Sequence, residues 1–154
     1  MRFEFVAPFI DAAITVLNDV LSVAVTKGRA SLKEGMAPEA CLSVSFGLTG
    51  EVEGTVLFDI PEKTAFEIAG AMNCASFDAI EPAVLDTIAE LMNMIVGRSV
   101  TLINDKGFRF NLTPPTIFSG REIKFYSAGI EALVVPVNTA YGDFAISVAM
   151  RATV

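Results

Sequence analysis

The chain has no histidine at all and only two cysteines. Without histidine, Ser-His-Asp and Cys-His nucleophile schemes are excluded, and so are the usual zinc sites. Any chemistry must rest on carboxylates, amides, hydroxyls or backbone groups. Cys41 and Cys74 lack C-x-x-C spacing and read as reduced core thiols of a cytoplasmic protein. Positive charge is also scarce, with 11 Lys and Arg against 18 Asp and Glu, a net charge of −7. Nucleic-acid phosphates would be repelled, and the charge argues equally against a polybasic contact with anionic lipid. No apolar run reaches about 18 residues, so no spanning helix is expected. Met1 to Ala13 carries Arg2, Glu4 and Asp11, with no apolar run before a small-residue cleavage site, so no signal peptide is expected either.

What the chain does have is apolar residues, 53% of the total. One domain spanning residues 1–154 is the simplest organisation, large enough to bury about 70% of its unfolded surface. Phe9 to Val25 reads as an amphipathic helix entered through Pro8 in its first turn. Gly28 to Pro38 reads as a polar loop. Ala40–Leu48 and Gly54–Ile60 alternate and form a hairpin around Thr49-Gly50. Pro61 opens a second helix ending near Asn73. A longer helix runs from about Pro82 to Asn104, with Asp78 or Glu81 as capping candidates. Strands follow at Pro115–Phe118, Glu122–Tyr126, Ile130–Val137 and Phe144–Ala149.

The long helix carries the most informative pattern. At about 100° per residue, Asp86, Glu90, Asn93 and Gly97 fall within roughly 60° of one another. Leu85, Ile88, Met92, Ile95 and Ile103 take a separate face. A wet helix face normally carries scattered Lys and Glu. Here two carboxylates, an amide and a glycine stand in register, and Pro115 follows 22 positions after Asn93.

A shift of 75 positions lays Asp11 over Asp86, Asn18 over Asn93, Ser22 over Gly97 and Val25 over Val100. Pro38 then sits near the place of Pro115. An internal duplication is expected, roughly 8–73 and 78–150, with the halves packed together. Thr15 stands where Glu90 should be, so the first copy of the pattern lacks its acid.

The pattern Asp86-x3-Glu90-x2-Asn93-x21-Pro115 resembles that of the CheC/CheX/FliY chemotaxis phosphatases, closest to CheX. The blocks Ile88–Gly97 and Leu112–Arg121 carry the likeness, which covers nearly the whole length. CheC carries two such sites and CheX only the second, so Thr15 fits the CheX side. The resemblance implies an α/β fold of α+β type: two pseudo-symmetric helix-plus-strand halves, with long helices on an antiparallel-rich sheet. It implies hydrolysis of the phospho-aspartate on a CheY-type response regulator. Asn93 would orient the attacking water, since an amide both donates and accepts. Glu90 would pair with a regulator lysine. Asp86, Gly97 and Pro115 would serve partner binding: Asp86 in docking or capping, Pro115 in shaping the neighbouring loop and strand. No cofactor or metal of the chain's own is implied, because the regulator brings its Mg2+. A homodimer through sheet edges, such as Ile130–Val137, is a further expectation.

Two other readings compete. One is a non-catalytic module like the FliM middle domain of the flagellar switch. It is disfavoured by the intact Glu-x-x-Asn pair and by the absence of a FliN-like tail or an N-terminal CheY-binding peptide. The other is a relative that sequesters a regulator without hydrolysis. Met92 and Met94 read as core filler.

Overall fold

Alternating apolar residues build a wide antiparallel sheet, and three amphipathic helices cover one face of it. The computed structural model describes residues 3–35, 38–120 and 131–153. In chain order, α1 spans Phe3–Leu21, β1 Val25–Lys27, β2 Ser31–Glu34, β3 Leu42–Gly50, β4 Val52–Ile60 and α2 Glu62–Asn73. Then come α3 at Pro82–Asp105, β5 at Phe110–Leu112, β6 at Thr116–Ser119, β7 at Glu131–Thr139 and β8 at Gly142–Ala152. This is the mixed α+β class that the resemblance implies. The expected strand at Glu122–Tyr126 lies outside the described residues.

The sheet order is β1-β7-β8-β4-β3-β5, with β2 also on β7 and β6 also on β3. Every pairing among the described residues is antiparallel. The N-terminal strands β1 and β2 therefore border the C-terminal β7, while β5 and β6 border the N-terminal β3. Alternation decides the inner face: Leu42, Val44, Phe46 and Leu48 of β3, and Val52, Val56, Phe58 and Ile60 of β4, are buried in one core with the helices. Burial of this kind contributes about 25 cal/mol per Å2 of apolar surface. A small separate cluster, Leu57, Ala132 and Ala149, has the opposite parity along its strands.

Several expectations need correction. Helix α1 starts before Pro8 and ends at Leu21, so Pro8 lies inside it and Val25 already belongs to β1. Proline gives no N–H to the carbonyl four residues back. The helix is held against α3 at this point: the Ser99 hydroxyl of α3 donates to the Ile95 carbonyl at 2.8 Å and lies 3.4 Å from the Pro8 carbonyl. The polar segment after Gly28 is partly strand, because β2 pairs with Leu133 and its neighbours even though all four of its residues are exposed. Strand β7 is no free edge, being flanked by β8 and by β1 and β2, so the open edges lie elsewhere. Glu81 is the N-cap of α3, but its side chain makes no capping hydrogen bond; its carbonyl accepts from Val84 and Leu85 at 3.0 and 3.1 Å. The cysteines are not core thiols: Cys74 is exposed and Cys41 only half-buried.

Candidate functional site

Helix α3 owes its orientation to its apolar face. Val84, Ile88, Leu91, Met92, Ile95, Val96 and Ile103 are fully buried and lock the helix against α1, α2 and the sheet. Pro82 sits in the first turn, where its missing N–H costs nothing. A side-chain bridge adds a fixed point beside the site. Asn73, the last residue of α2, donates to Thr87 Oγ1 at 2.8 Å and to the Ala69 carbonyl at 2.8 Å. Thr87 in turn donates to the Ala83 carbonyl at 2.7 Å. The turn that carries Asp86 is thereby tied to the neighbouring helix.

With the apolar face fixed, the opposite face is fixed too. Asp86, Glu90, Asn93 and Gly97 are all exposed along it. Among the described residues, the side chains of Asp86, Glu90 and Asn93 make no hydrogen bond or ion pair. A carboxylate and an amide one turn apart thus point into solvent from a rigid mount. No described residue takes up their hydrogen-bonding capacity. Among the described residues no group of three metal-ligating side chains occurs.

Pro115 belongs to the sheet and not to the helix. It is half-buried in the connection between β5 and β6. Just before it, Thr113 N–H donates to the Gly47 carbonyl at 2.9 Å, and Gly47 N–H donates to Thr113 Oγ1 at 2.7 Å. Pro114 and Pro115, which lack N–H groups, fall where pairing to β3 passes from β5 to β6. Among the described residues no hydrogen bond joins Pro115 to Glu90 or Asn93; its place is set by the pairing of its neighbours to β3.

The matching face of α1 carries Asp11, Thr15, Asn18 and Ser22, also exposed. It is cut short. Ser22 has φ 55° and closes the helix by donating to the Asn18 carbonyl at 3.0 Å, whereas α3 runs on past Gly97 to Asp105.

Met94 is the residue the sequence reading misplaced. Met92 is fully buried as expected, but Met94 is 41% exposed. The signal was present, since Met94 lies four residues after Glu90 and shares its face.

Among the described residues, nothing packs closely enough on Gly97 to require a glycine. A Cβ built there would meet nothing within 4 Å. Glycine in a helix interior costs about 1 kcal/mol relative to alanine. Gly97→Ala is therefore expected to raise unfolding stability by up to about 1 kcal/mol in urea titration; a loss of stability would show a packing role at this position.

The sequence profile described as chemotaxis phosphatase CheX matches residues 42–138, a span that includes Asp86, Glu90, Asn93, Gly97 and Pro115. The chain belongs to the CheX family. The CheY-P phosphatase CheX of Thermotoga maritima is 27% identical over 139 residues, covering 90% of this chain and 89% of that protein. The CheX of a crystallised CheX-CheY-BeF3-Mg2+ complex from Borrelia burgdorferi is 34% identical. That likeness covers 97% of this chain and 99% of that one, with a TM-score of 0.83. A CheC-like superfamily protein from Shewanella sp. PV-4 shares the fold with a TM-score of 0.87 at 24% identity, over 98% of this chain and 99% of that one. The three helices on an antiparallel sheet are thus the architecture of CheX-family structures. No described helix is long and apolar enough to cross a membrane.

Proposed function

We propose that this CheX-family protein hydrolyses the phospho-aspartate of a CheY-type response regulator. Helix α3 enters the regulator's pocket, and two side chains divide the work. Asn93 holds a water in line with the phosphorus, its carbonyl oxygen accepting from the water and its amide N–H donating. Glu90 pairs with a lysine of the regulator and fixes the depth and angle of docking. Asp86 extends the contact on the N-terminal side, Gly97 leaves room on the C-terminal side, and Pro115 shapes the adjoining edge.

An acyl phosphate already has a good leaving group, and the Mg2+ held by the regulator neutralises charge. What remains is positioning. The chain needs no nucleophile of its own, in keeping with a face made of carboxylates and an amide. The observation that carries this reading is the pair itself: Glu90 and Asn93 are exposed on successive turns of α3, without partners among the described residues. The crystallised Borrelia relative, a CheX in complex with CheY, BeF3 and Mg2+, supports the choice of partner.

The test is loss of phosphate from a Mg2+-loaded CheY-type regulator charged with acyl phosphate. Wild type is expected to accelerate it. Glu90→Ala, which strands the regulator's lysine, is expected to lower kcat/KM by about 30-fold or more. If wild type is no faster than the regulator alone across the receiver domains of its organism, the phosphatase reading fails. Tight binding without acceleration would instead identify a sequestering protein.

A further inference from the structure

The exposed face of α3 does not stop at Asn93. Continuing at about 100° per residue, Met94, Gly97 and Thr101 stay within roughly 60° of Glu90. The character of the face changes there. Its N-terminal part carries Asp86 and Glu90, while the next turns are neutral, with Arg98 on the flank. Met94 and Leu32 are the large apolar side chains left exposed among the described residues, and Leu32 belongs to β2, which pairs with β7. A lone exposed apolar residue is ordinary. This one adjoins the residue that positions water, and it sits three residues before a glycine that no described residue requires. The Thr101 hydroxyl donates to the Gly97 carbonyl at 3.3 Å, so the bare backbone presents no unmet acceptor to a partner.

We propose that Met94 and the bare backbone at Gly97 form an apolar seat for the regulator's receiver domain, gripping an apolar patch on the rim of its phospho-aspartate pocket. This rests on the phosphatase reading. A helix that delivers Glu90 and Asn93 into that pocket must lay its next turn, about 6 Å further along its axis, against the rim. Methionine suits the task, being flexible and polarizable enough to fit an apolar surface that differs in detail from one regulator to another. Glycine lets the two backbones approach. The seat determines how tightly a given regulator is held, and Asn93 determines how fast it is hydrolysed.

The experiment measures steady-state dephosphorylation of a charged CheY-type regulator, together with binding of the same regulator loaded with Mg2+ and BeF3, which stands in for the phosphoryl group. Met94→Ala is expected to raise both KM and Kd about five- to tenfold, with a far smaller change in kcat. Met94→Leu restores most of the affinity. Gly97→Leu covers the bare backbone and weakens binding similarly, although leucine is the better helix former and thermal stability is not reduced. Wild-type Kd in both Met94→Ala and Gly97→Leu overturns the seat while leaving the phosphatase reading intact. So does a loss confined to kcat. If the substitutions change self-association in sedimentation and leave regulator binding alone, the face belongs to a second copy and the proposal falls. A wild-type chain that neither binds nor hydrolyses overturns the phosphatase reading itself, and the Met94 and Gly97 variants cannot produce that result.

Discussion

Asn93→Ala is expected to lower kcat by at least about 100-fold while leaving the affinity for a Mg2+- and BeF3-loaded regulator nearly unchanged. The reasoning follows from what the amide must do. If Asn93 holds the attacking water, its loss does not remove a charge or a covalent partner. The acyl phosphate keeps its leaving group and its metal, so the regulator's own slow hydrolysis continues. What disappears is a water held at attack distance, and misplacement of about 1 Å is already worth about 100-fold. The substitution itself is benign to the fold, since Asn93 is exposed and makes no side-chain hydrogen bond among the described residues. Asn93→Asp keeps the shape but loses the N–H donors and adds negative charge beside a phosphoryl group. It should be as slow as the alanine variant. Stopped-flow or radiolabel decay of the charged regulator separates the outcomes: equal rates for wild type and both variants would take Asn93 out of the chemistry.

Gly54→Ala is expected to destabilise the chain by at least about 3 kcal/mol, or about 10 °C in melting temperature. Gly54 lies in β4 at the centre of the sheet, paired with Leu48 on one side and Met150 on the other. Its φ is 152°. A Cβ there would stand 2.0 Å from the Ala149 carbonyl oxygen and 2.9 Å from Met150 Cα. Both are backbone atoms of β8, so no side chain can swing aside. Either β4 and β8 separate or the backbone takes a new φ, and either way ladder hydrogen bonds are lost. Calorimetry and urea titration measure the cost; a loss under about 1 kcal/mol would mean the sheet yields locally. The contrast with Gly97→Ala is instructive, because the same substitution stabilises an open helix face and breaks a closed ladder.

Much of this was legible in the residues. Both α2 and α3 begin and end within a residue or so of their expected limits, since Pro61, Pro82 and a sustained helical period mark them. The Asp86–Gly97 face was legible for the same reason: when one face is unmistakably apolar, its opposite is defined. Features with weak periodicity stayed hidden. All four residues of β2 are exposed, so its sequence shows no alternation, and it is a strand only because β7 lies beside it. The end of α1 was missed because Ser22 takes the left-handed conformation that glycine usually announces. Pro8 read as a helix start because its local preference is strong; packing against α3 overrode it. Cys74 closes α2 in a left-handed conformation, a role that composition cannot reveal.

The order of strands in the sheet also bears on how the chain is made. β8 is the last of the described strands, yet it stands in the middle of the sheet between β7 and β4. The hairpin of β3 and β4 leaves the ribosome long before its central partner exists, with one long edge waiting. β1 and β2 wait likewise for β7. Contacts this distant in sequence must absorb loop-closure entropy before they gain anything, which slows folding. Assembly therefore waits on synthesis: the scaffold that aims α3 closes only once β7 and β8 have been made.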